Sequence, residues 1–518
     1  MYRLLGLLGG LSAAIDLGSG AALDESLTRC VVATRFAHAL GCPQDEVAEV
    51  LYTALLQHVG CTAYAYEAGL VWGDDVAVTR YAVRTDFASA REVLREWVPG
   101  IAAASGRSRA RVLATTLATA RSFGAAAPVA TCEVARAASR DLGLPDRVQR
   151  ALGSVTASWD GTGVPHERGA AIPRSTRVVH VASAAVGTAL YAGVPAALAR
   201  LSRWSGSVLD PGLVAAFVAD GSDLLDGVDE LDAYQAVLDA EPDPVRRVPD
   251  SAVVDVAQTF GRIVDLKCPG TLGHSDAVAA LAERAALALG LDDDAARLRL
   301  AGHLHDLGKV GVPSSVWARA TAPTATEQEQ ARLHAYHGER VVGRVPELAL
   351  VARLVGEHHE RLDGSGYHRG LTAPYLSLAS RVLAAADAYR ARLEGRPGTP
   401  PEPPARAAAW MRAQAGGGRL DPDAVDAVLG GAARDKGGHR VRPSGLTRRQ
   451  VEVLRLVARG LSNAEIAREL VISRRTAEHH VQDVYARAGV SSRAGVAMYA
   501  LRHGLVESPG TGAAPGDE

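Results

Sequence analysis

Aromatic side chains are scarce in this chain, at 5% of 518 residues, and net charge is nearly absent at −2. The even balance excludes a chain that binds nucleic acid through its overall charge, so any basic surface must be local. Cysteine is rare and unpatterned: Cys30, Cys42, Cys61, Cys132 and Cys268 show no CxxC spacing. That scatter fits reduced thiols in a cytosol better than a disulfide framework. Long apolar runs are missing as well. The N-terminal Leu4-Leu5-Gly6-Leu7-Leu8 has one preceding Arg and no clear cleavage site, and Asp16 soon interrupts it. No uninterrupted run of about 18 apolar residues occurs, so the expectation is a cytoplasmic chain with no membrane span.

What is present is ordinary for a globular protein: 47% apolar and 22% charged residues, in a length that suits about three domains. Strand signals are weak. Segments such as Asp276 to Leu289 and Ala295 to His303 carry apolar residues at three-and-four spacing, so the fold class is all-α. Breaks fall at Glu241 to Pro244, Arg396 to Pro404 and Asp435 to Ser444, and the tail from Ser508 has a disordered composition.

The chemistry concentrates in two tight pairs. His305-Asp306 stands in Gly302-His-Leu-His-Asp-Leu-Gly-Lys309, and His358-His359 stands in Glu357-His-His-Glu360. His274, His334 and Asp387 share the region. Seven imidazole and carboxylate ligands are too many for one metal and suit two divalent ions, such as Fe, Mn or Zn. Adjacent ligands on one helix diverge by about 100°, so each pair could serve two neighbouring ions, with Asp306 bridging. Two ions acidify a water and suit phosphoester hydrolysis. Lys309, three residues after Asp306, shares its helical face and can meet a phosphate oxygen. His303 reads as structural. His337 lies one turn from His334 and could substitute for it.

An internal repeat is also present. Ile15-Asp16-Leu17 matches Val264-Asp265-Leu266, and Leu40-Gly41 matches Leu289-Gly290. Trp159-Asp-Gly-Thr-Gly163 matches Leu362-Asp-Gly-Ser-Gly366, and Thr176-Arg-Val178 matches Ser380-Arg-Val382. Residues 1–240 therefore read as a second copy of the 250–432 fold. That copy lacks the ligands: Glu25 stands for His274, Gln57-His58 for His305-Asp306, Val155-Thr156 for His358-His359, and Ser183 for Asp387.

Residues 252 to about 430 resemble the HD-GYP phosphohydrolases, a branch of the HD superfamily. The resemblance rests on Asp265-x-Lys267, Gly273-His-Ser275, His303 to Lys309, Gly311-Val-Pro313, His334-x-x-x-Gly338, His358 to Tyr367, and Arg381 with Ala386-Asp387. It implies an all-helical fold, two or three metals (often iron or manganese), and hydrolysis of cyclic di-GMP or a related phosphoester. It makes His274, His305, Asp306, His334, His358, His359 and Asp387 the ligands. Asp306 and Lys309 become the catalytic pair, and Lys309, Gly366, Tyr367 and Arg381 the substrate contacts. Three positions depart from the family: Gly366-Tyr367-His368 replaces Gly-Tyr-Pro, Ala277 replaces a usual Arg, and Arg390 replaces a frequent Asp.

Residues 445–507 carry an independent pattern: ten arginines, no lysine and six acids, a local excess that favours phosphate contact. Thr447 with Gln450, and Ser462 with Glu465, read as capping boxes. Two short helices with a tight turn between them read as helix-turn-helix. The segment resembles the LuxR-type DNA-binding domain through Leu446-Thr447, Gly460-Leu-Ser-Asn-x-Glu-Ile-Ala467, Thr476-x-x-x-His480-Val481 and Gly489-Val490-x-Ser492-Arg493. That implies four helices, pairing of two copies on duplex DNA, and Arg474, Arg475, Thr476, Glu478, His479 and Gln482 facing the DNA. The expected order is a degenerate HD-like domain (1–240), a metallohydrolase domain (250–432), a linker (433–444), the reader (445–507) and a disordered tail (508–518). A nucleotide sensor without turnover, or a hydrolase of another phosphoester, fits the same residues.

Overall fold

The computed structural model describes residues 1–395, 398–434 and 446–506. The expected linker from residue 435 onward and the expected disordered tail lie outside the described residues. The chain divides into two compact units, Met1–Val256 and Ala257–Glu518. The regular structure is helical except for one two-stranded ribbon among the described residues, β1 (Tyr2–Arg3) antiparallel to β2 (Arg247–Val248).

In the first unit the apolar N-terminus is core. Every residue of the helix Leu4–Leu11 is buried. Its central helices are α1 (Glu25–Ala39), α2 (Gln44–Leu56), α3 (Arg109–Asp141) and α4 (Arg174–Trp204). Helix α1 packs on α2, and both pack on α4. Helix α4 is long and apolar enough to cross a membrane by length and composition, with a mean hydropathy of 1.5. A search for unbroken runs passes over it because Arg177, His180 and Ser183 interrupt the sequence. In the fold it buries Val178, Val179, Ala182 and Val186, and it breaks at Gly193, where φ is 80°.

The second unit is built on α5 (His274–Ala288), α6 (Asp292–Leu304), α7 (Ala325–Val342), α8 (Ala349–Glu357), α9 (Leu378–Glu394) and α10 (Pro422–Arg434). Helix α5 packs against α6, α9 and α10, and α7 packs against α8 and the 3₁₀ turn Leu307–Gly311. The pairings are close because glycine permits them. A Cβ on Gly308 would lie 2.0 Å from the His334 carbonyl oxygen.

Both units use the same local devices. Asp16 accepts from the Ser26 amide at 3.0 Å, and Asp265 from the Ser275 amide at 3.2 Å. Arg177 donates to the Ile172 carbonyl and pairs with Asp210; Arg381 donates to the Leu376 carbonyl and pairs with Asp421. Asp160 takes the Thr162 amide, and Asp363 the Ser365 amide. A Cβ on Gly60 would meet the Thr131 carbonyl oxygen at 2.0 Å, as one on Gly308 would meet that of His334.

Four helices complete the described chain: α11 (Arg448–Ala458), α12 (Asn463–Glu469), α13 (Arg474–Ala488) and α14 (Arg493–Arg502). Both capping boxes form, Thr447 with Gln450 and Ser462 with Glu465. Ser473 and Ser492 cap α13 and α14.

Candidate metal centre and DNA-reading face

The ligand pairs do not lie within helices. His305 is the C-cap of α6, and Asp306 opens the following 3₁₀ turn. His358 is the C-cap of α8, with His359 beyond it. The physical reason is the open carbonyls of a helix's last turn. His305 Nδ1 donates to the Gly302 carbonyl at 2.8 Å, and His358 Nδ1 to that of Val355 at 2.6 Å. Within α7, His334 Nδ1 donates to Ala331 at 2.5 Å. Each bond fixes the tautomer and leaves Nε2 as a bare lone pair.

The Nε2 atoms face one another. His274 Nε2 stands 3.2 Å from His305 Nε2, and His334 Nε2 stands 3.2 Å from His358 Nε2. The lone pairs of the neutral His334 and His358 do not attract. Two imidazoles bound at right angles to one ion at about 2.1 Å stand about 3 Å apart. Asp306 lies between the two pairs. Its Oδ2 is 3.3 Å from His305 and 3.7 Å from His274, while its Oδ1 is 3.5 Å from His334 and 4.0 Å from His358. Oδ1 is buried and has no hydrogen-bond partner. Asp387 spans the other side, with Oδ1 3.3 Å from His274 and Oδ2 3.6 Å from His359. The side chains form two groups of metal-holding geometry, His274–His305–Asp306 and His334–His358–His359. The orphaned carboxylate oxygen and the facing Nε2 atoms fit two ions with Asp306 between them.

The electrostatics agree. Burial moves His334 down to about 4 and His358 down to about 3, so both are neutral ligands. Burial also takes His359 well below its ordinary value. For Asp306 burial opposes ionisation, yet His305 and Lys309 hold it well below the usual carboxylate range. For His274 burial opposes protonation, but Glu394 and Asp387 carry it well above its ordinary value. A negative field that favours a proton there also favours a cation.

Lys309 pairs with Asp306, and its ammonium lies 5.4 Å from the Trp317 ring centre. Tyr367 stacks on His359 at 4.2 Å. One expected substrate contact is placed otherwise. Arg381 does not join the cluster: it bonds to the carbonyls of Leu376 and Ala373 and to Asp421, so its donors tie a loop to the start of α10. Gly366 is a packing residue, where a Cβ would stand 2.5 Å from Glu360 Oε2. His337 is half-buried beside Tyr336 and outside both ligand groups. His303 is buried against Asp276 at 3.3 Å.

Sequence reasoning passed over Glu394 and gave Arg390 no role. Glu394 accepts from His274 Nδ1 at 2.7 Å, and Arg390 holds Glu394 at 2.7 Å. Arg390, the departure from the family pattern, thus orients the partner of a ligand. The signal was available: 387, 390 and 394 share one face of α9.

On α13, Ala477, Val481 and Val484 are buried. Arg474, Arg475, Thr476, His479 and Gln482 are exposed, and Glu478 is intermediate. Arg474 pairs with Glu478 at 3.0 Å, which withdraws part of each charge from any DNA.

Residues 258–424 match the HD domain family, and residues 444–500 match the bacterial regulatory proteins of the luxR family. The chain is 27% identical over 403 residues to the 3′3′-cGAMP-specific phosphodiesterase 3 of Vibrio cholerae serotype O1, covering 76% of this chain and 87% of that one. It is 34% identical over 179 residues to the cyclic di-GMP phosphodiesterase response regulator RpfG of Xanthomonas campestris pv. campestris, covering 34% of this chain and 47% of that one. The crystal structure of a cyclic GMP-AMP-specific phosphodiesterase of V. cholerae (V-cGAP3) shares its fold, with a TM-score of 0.56 at 23% identity, over 86% of this chain and 99% of that one. The chain thus joins an HD domain to a luxR-family domain, and the relatives of its HD region are named cyclic-dinucleotide phosphodiesterases.

Proposed function

We propose that residues 250–432 hydrolyse a phosphodiester of a cyclic dinucleotide, and that residues 445–507 bind duplex DNA as a pair of copies, so that one cytoplasmic chain links nucleotide turnover to transcription. Residues 1–240 would be a degenerate HD-like domain in the same chain. The observation that carries the reading is Asp306, whose two oxygens face two separate imidazole groups while one of them has no hydrogen-bond partner. The names of the relatives support a cyclic dinucleotide as the substrate class, with cyclic di-GMP and 3′3′-cGAMP as the first to try.

His274, His305, His334, His358, His359, Asp306 and Asp387 would hold two ions, with iron or manganese suiting this donor set and zinc also tolerated. When bound, the ions supply an acidified water and offset charge on the phosphoryl oxygens. The chain's own contribution is positional. Glu394 and three backbone carbonyls orient the imidazoles. Lys309, tethered to Asp306, is set to meet a non-bridging phosphate oxygen. Tyr367 offers an aromatic face beside His359.

The test is the purified full chain, loaded with Fe(II) or Mn(II), against cyclic di-GMP, 3′3′-cGAMP and cyclic di-AMP, with linear product read by chromatography. Turnover of at least one is expected. Full metal occupancy with no turnover of any would overturn the enzymatic reading in favour of a nucleotide sensor. For DNA, affinity should fall steeply with salt. Arg475→Ala should weaken binding to every sequence by about tenfold, and Gln482→Ala should mainly change base preference. Salt-insensitive binding would count against the reader.

A further inference from the structure

The first unit encloses a cavity of about 1030 Å³ in place of a ligand cluster. Gln57, Thr131, Thr156 and Ser183 line it, and by the repeat they stand where the second unit has His305, His334, His359 and Asp387. Three of them already have partners: Gln57 Nε2 donates to Ser183 Oγ at 2.7 Å, and Thr156 donates to the Val164 carbonyl. No ion is called for. The remaining walls are apolar and aromatic. Trp72, Trp97 and Phe123 line the cavity in edge-to-face contact. Three further lining residues, Phe87, Leu94 and Leu117, are 51%, 53% and 71% exposed, an apolar rim around an opening.

Two buried donors lining this space have no partner: Arg29 Nη1 and Trp72 Nε1. Arg29 is 3% exposed and Trp72 is 2% exposed. A buried donor left unpaired is costly, so an acceptor is expected to reach it. The charges decide what kind. Arg29 lies 3.2 Å from Glu25 and 4.0 Å from Asp16, and Arg84 lies 3.5 Å from the same Glu25. Burial moves Asp16 up to about 7, with Arg29 opposing it. Burial keeps the neighbouring His58 and His180 neutral. Two guanidinium groups therefore face Glu25 and an Asp16 whose ionisation burial opposes, which leaves a positive surplus at the polar end.

We propose that the first unit is a receptor for a hydrophobic carboxylate, an aromatic or acyl acid, whose apolar body lies among Trp72, Trp97 and Phe123 and whose carboxylate is drawn to Arg29. The site is independent of the metal centre, so it stands or falls apart from the hydrolase reading. Its test uses the full chain with dodecanoate and indole-3-acetate as probes and dodecan-1-ol as the neutral control, read by quenching of tryptophan fluorescence and by the shift in Tm. At least one acid should bind saturably at one per chain, and dodecanoate should bind at least tenfold tighter than dodecan-1-ol. Ala184→Trp, on the cavity side of α4, should weaken binding at least tenfold while leaving the Tm without probe unchanged. His305→Ala should leave binding as it was, which separates the cavity from carboxylate capture by metal. Arg29→Met, where it folds, should erase the preference for acid over alcohol. Absence of saturable binding, binding that Ala184→Trp leaves intact, binding lost in His305→Ala, or equal affinity for acid and alcohol would each overturn the proposal.

Discussion

Where helices converge in the second unit, five imidazoles and two carboxylates crowd together; at the matching place in the first unit, the polar groups find partners within the chain and leave a cavity. The difference lies in where the positive charge comes from. The second unit leaves Asp306 Oδ1 without a partner and turns histidine Nε2 atoms face to face. The first unit carries Arg29 on α1, ion-paired to Glu25 and Asp16. By the repeat's offset, Arg29 stands where α5 has the buried, apolar Val278. The first unit holds a built-in guanidinium, and the space at the matching place is lined with tryptophan and phenylalanine. The same scaffold thus carries a cluster of metal-holding geometry in one unit and an aromatic-lined cavity in the other, on shared glycine approaches and arginine ties.

The largest expected effect tests that contrast at its centre. His305→Ala or Asp306→Asn should remove bound metal and lower phosphodiester hydrolysis about a thousandfold or more, because ligand and charge are lost together. Gln57→Ala and Thr131→Ala, at the matching positions of the first unit, should leave metal content unchanged by elemental analysis. A full chain carrying His305→Ala and His358→Ala that still holds stoichiometric transition metal would break the comparison, because the metal would have to sit elsewhere.

Much of this was legible in the sequence because it is local. Adjacent ligand pairs, capping boxes and the Asp-Gly-x-Gly turns are each written within a few residues. What was not legible depends on three dimensions. The matching residue for His334 is Thr131, and no nearby motif marks it; only the shared close approach at Gly60 and Gly308 does. Placing the ligand pairs within helices missed that α6 and α8 end at them, where histidine satisfies open carbonyls. The family resemblance made Arg381 a substrate contact, but its Nε, Nη1 and Nη2 are bonded to Asp421 and two carbonyls. Glu394 was passed over because its role appears only once His274 is placed opposite it. The cavity has no sequence signature at all, since a void is a property of packing.

A second pair of substitutions sharpens the structural half of the comparison. Gly60→Ala and Gly308→Ala each place a Cβ 2.0 Å from a backbone carbonyl oxygen, a clash that only movement of a helix can relieve. Each should destabilise its unit by about 3 kcal/mol or more, seen as an earlier unfolding transition with chelator present. Only Gly308→Ala should also reduce metal content, because the carbonyl it displaces belongs to His334. Equal metal loss in both variants would mean that the first unit takes part in the metal site.

The smallest expected effect concerns a feature the two units share. Burial moves both Asp16 and Asp265 up to about 7, well above the ordinary aspartate value of 3.8. A carboxyl whose folded pKa is raised contributes fully below its unfolded pKa, and that contribution is lost as pH rises through the folded pKa. The loss should therefore run between about pH 4 and pH 7, and by pH 8 it should amount to at most about 4 kcal/mol per group. Asp16→Asn and Asp265→Asn keep the oxygen that accepts from Ser26 or Ser275 while removing the titration. Denaturant unfolding with chelator present should show each variant close to the parent at pH 5 and more stable than it at pH 8. The gain should be similar in the two variants, because the opposing charges, Arg29 beside Asp16 and His274 beside Asp265, leave both carboxyls at about 7. A larger gain at Asp16 would mean that Arg29 spends its charge on Glu25 or on a bound acid instead, and the account of how the first unit balances its centre would need to change.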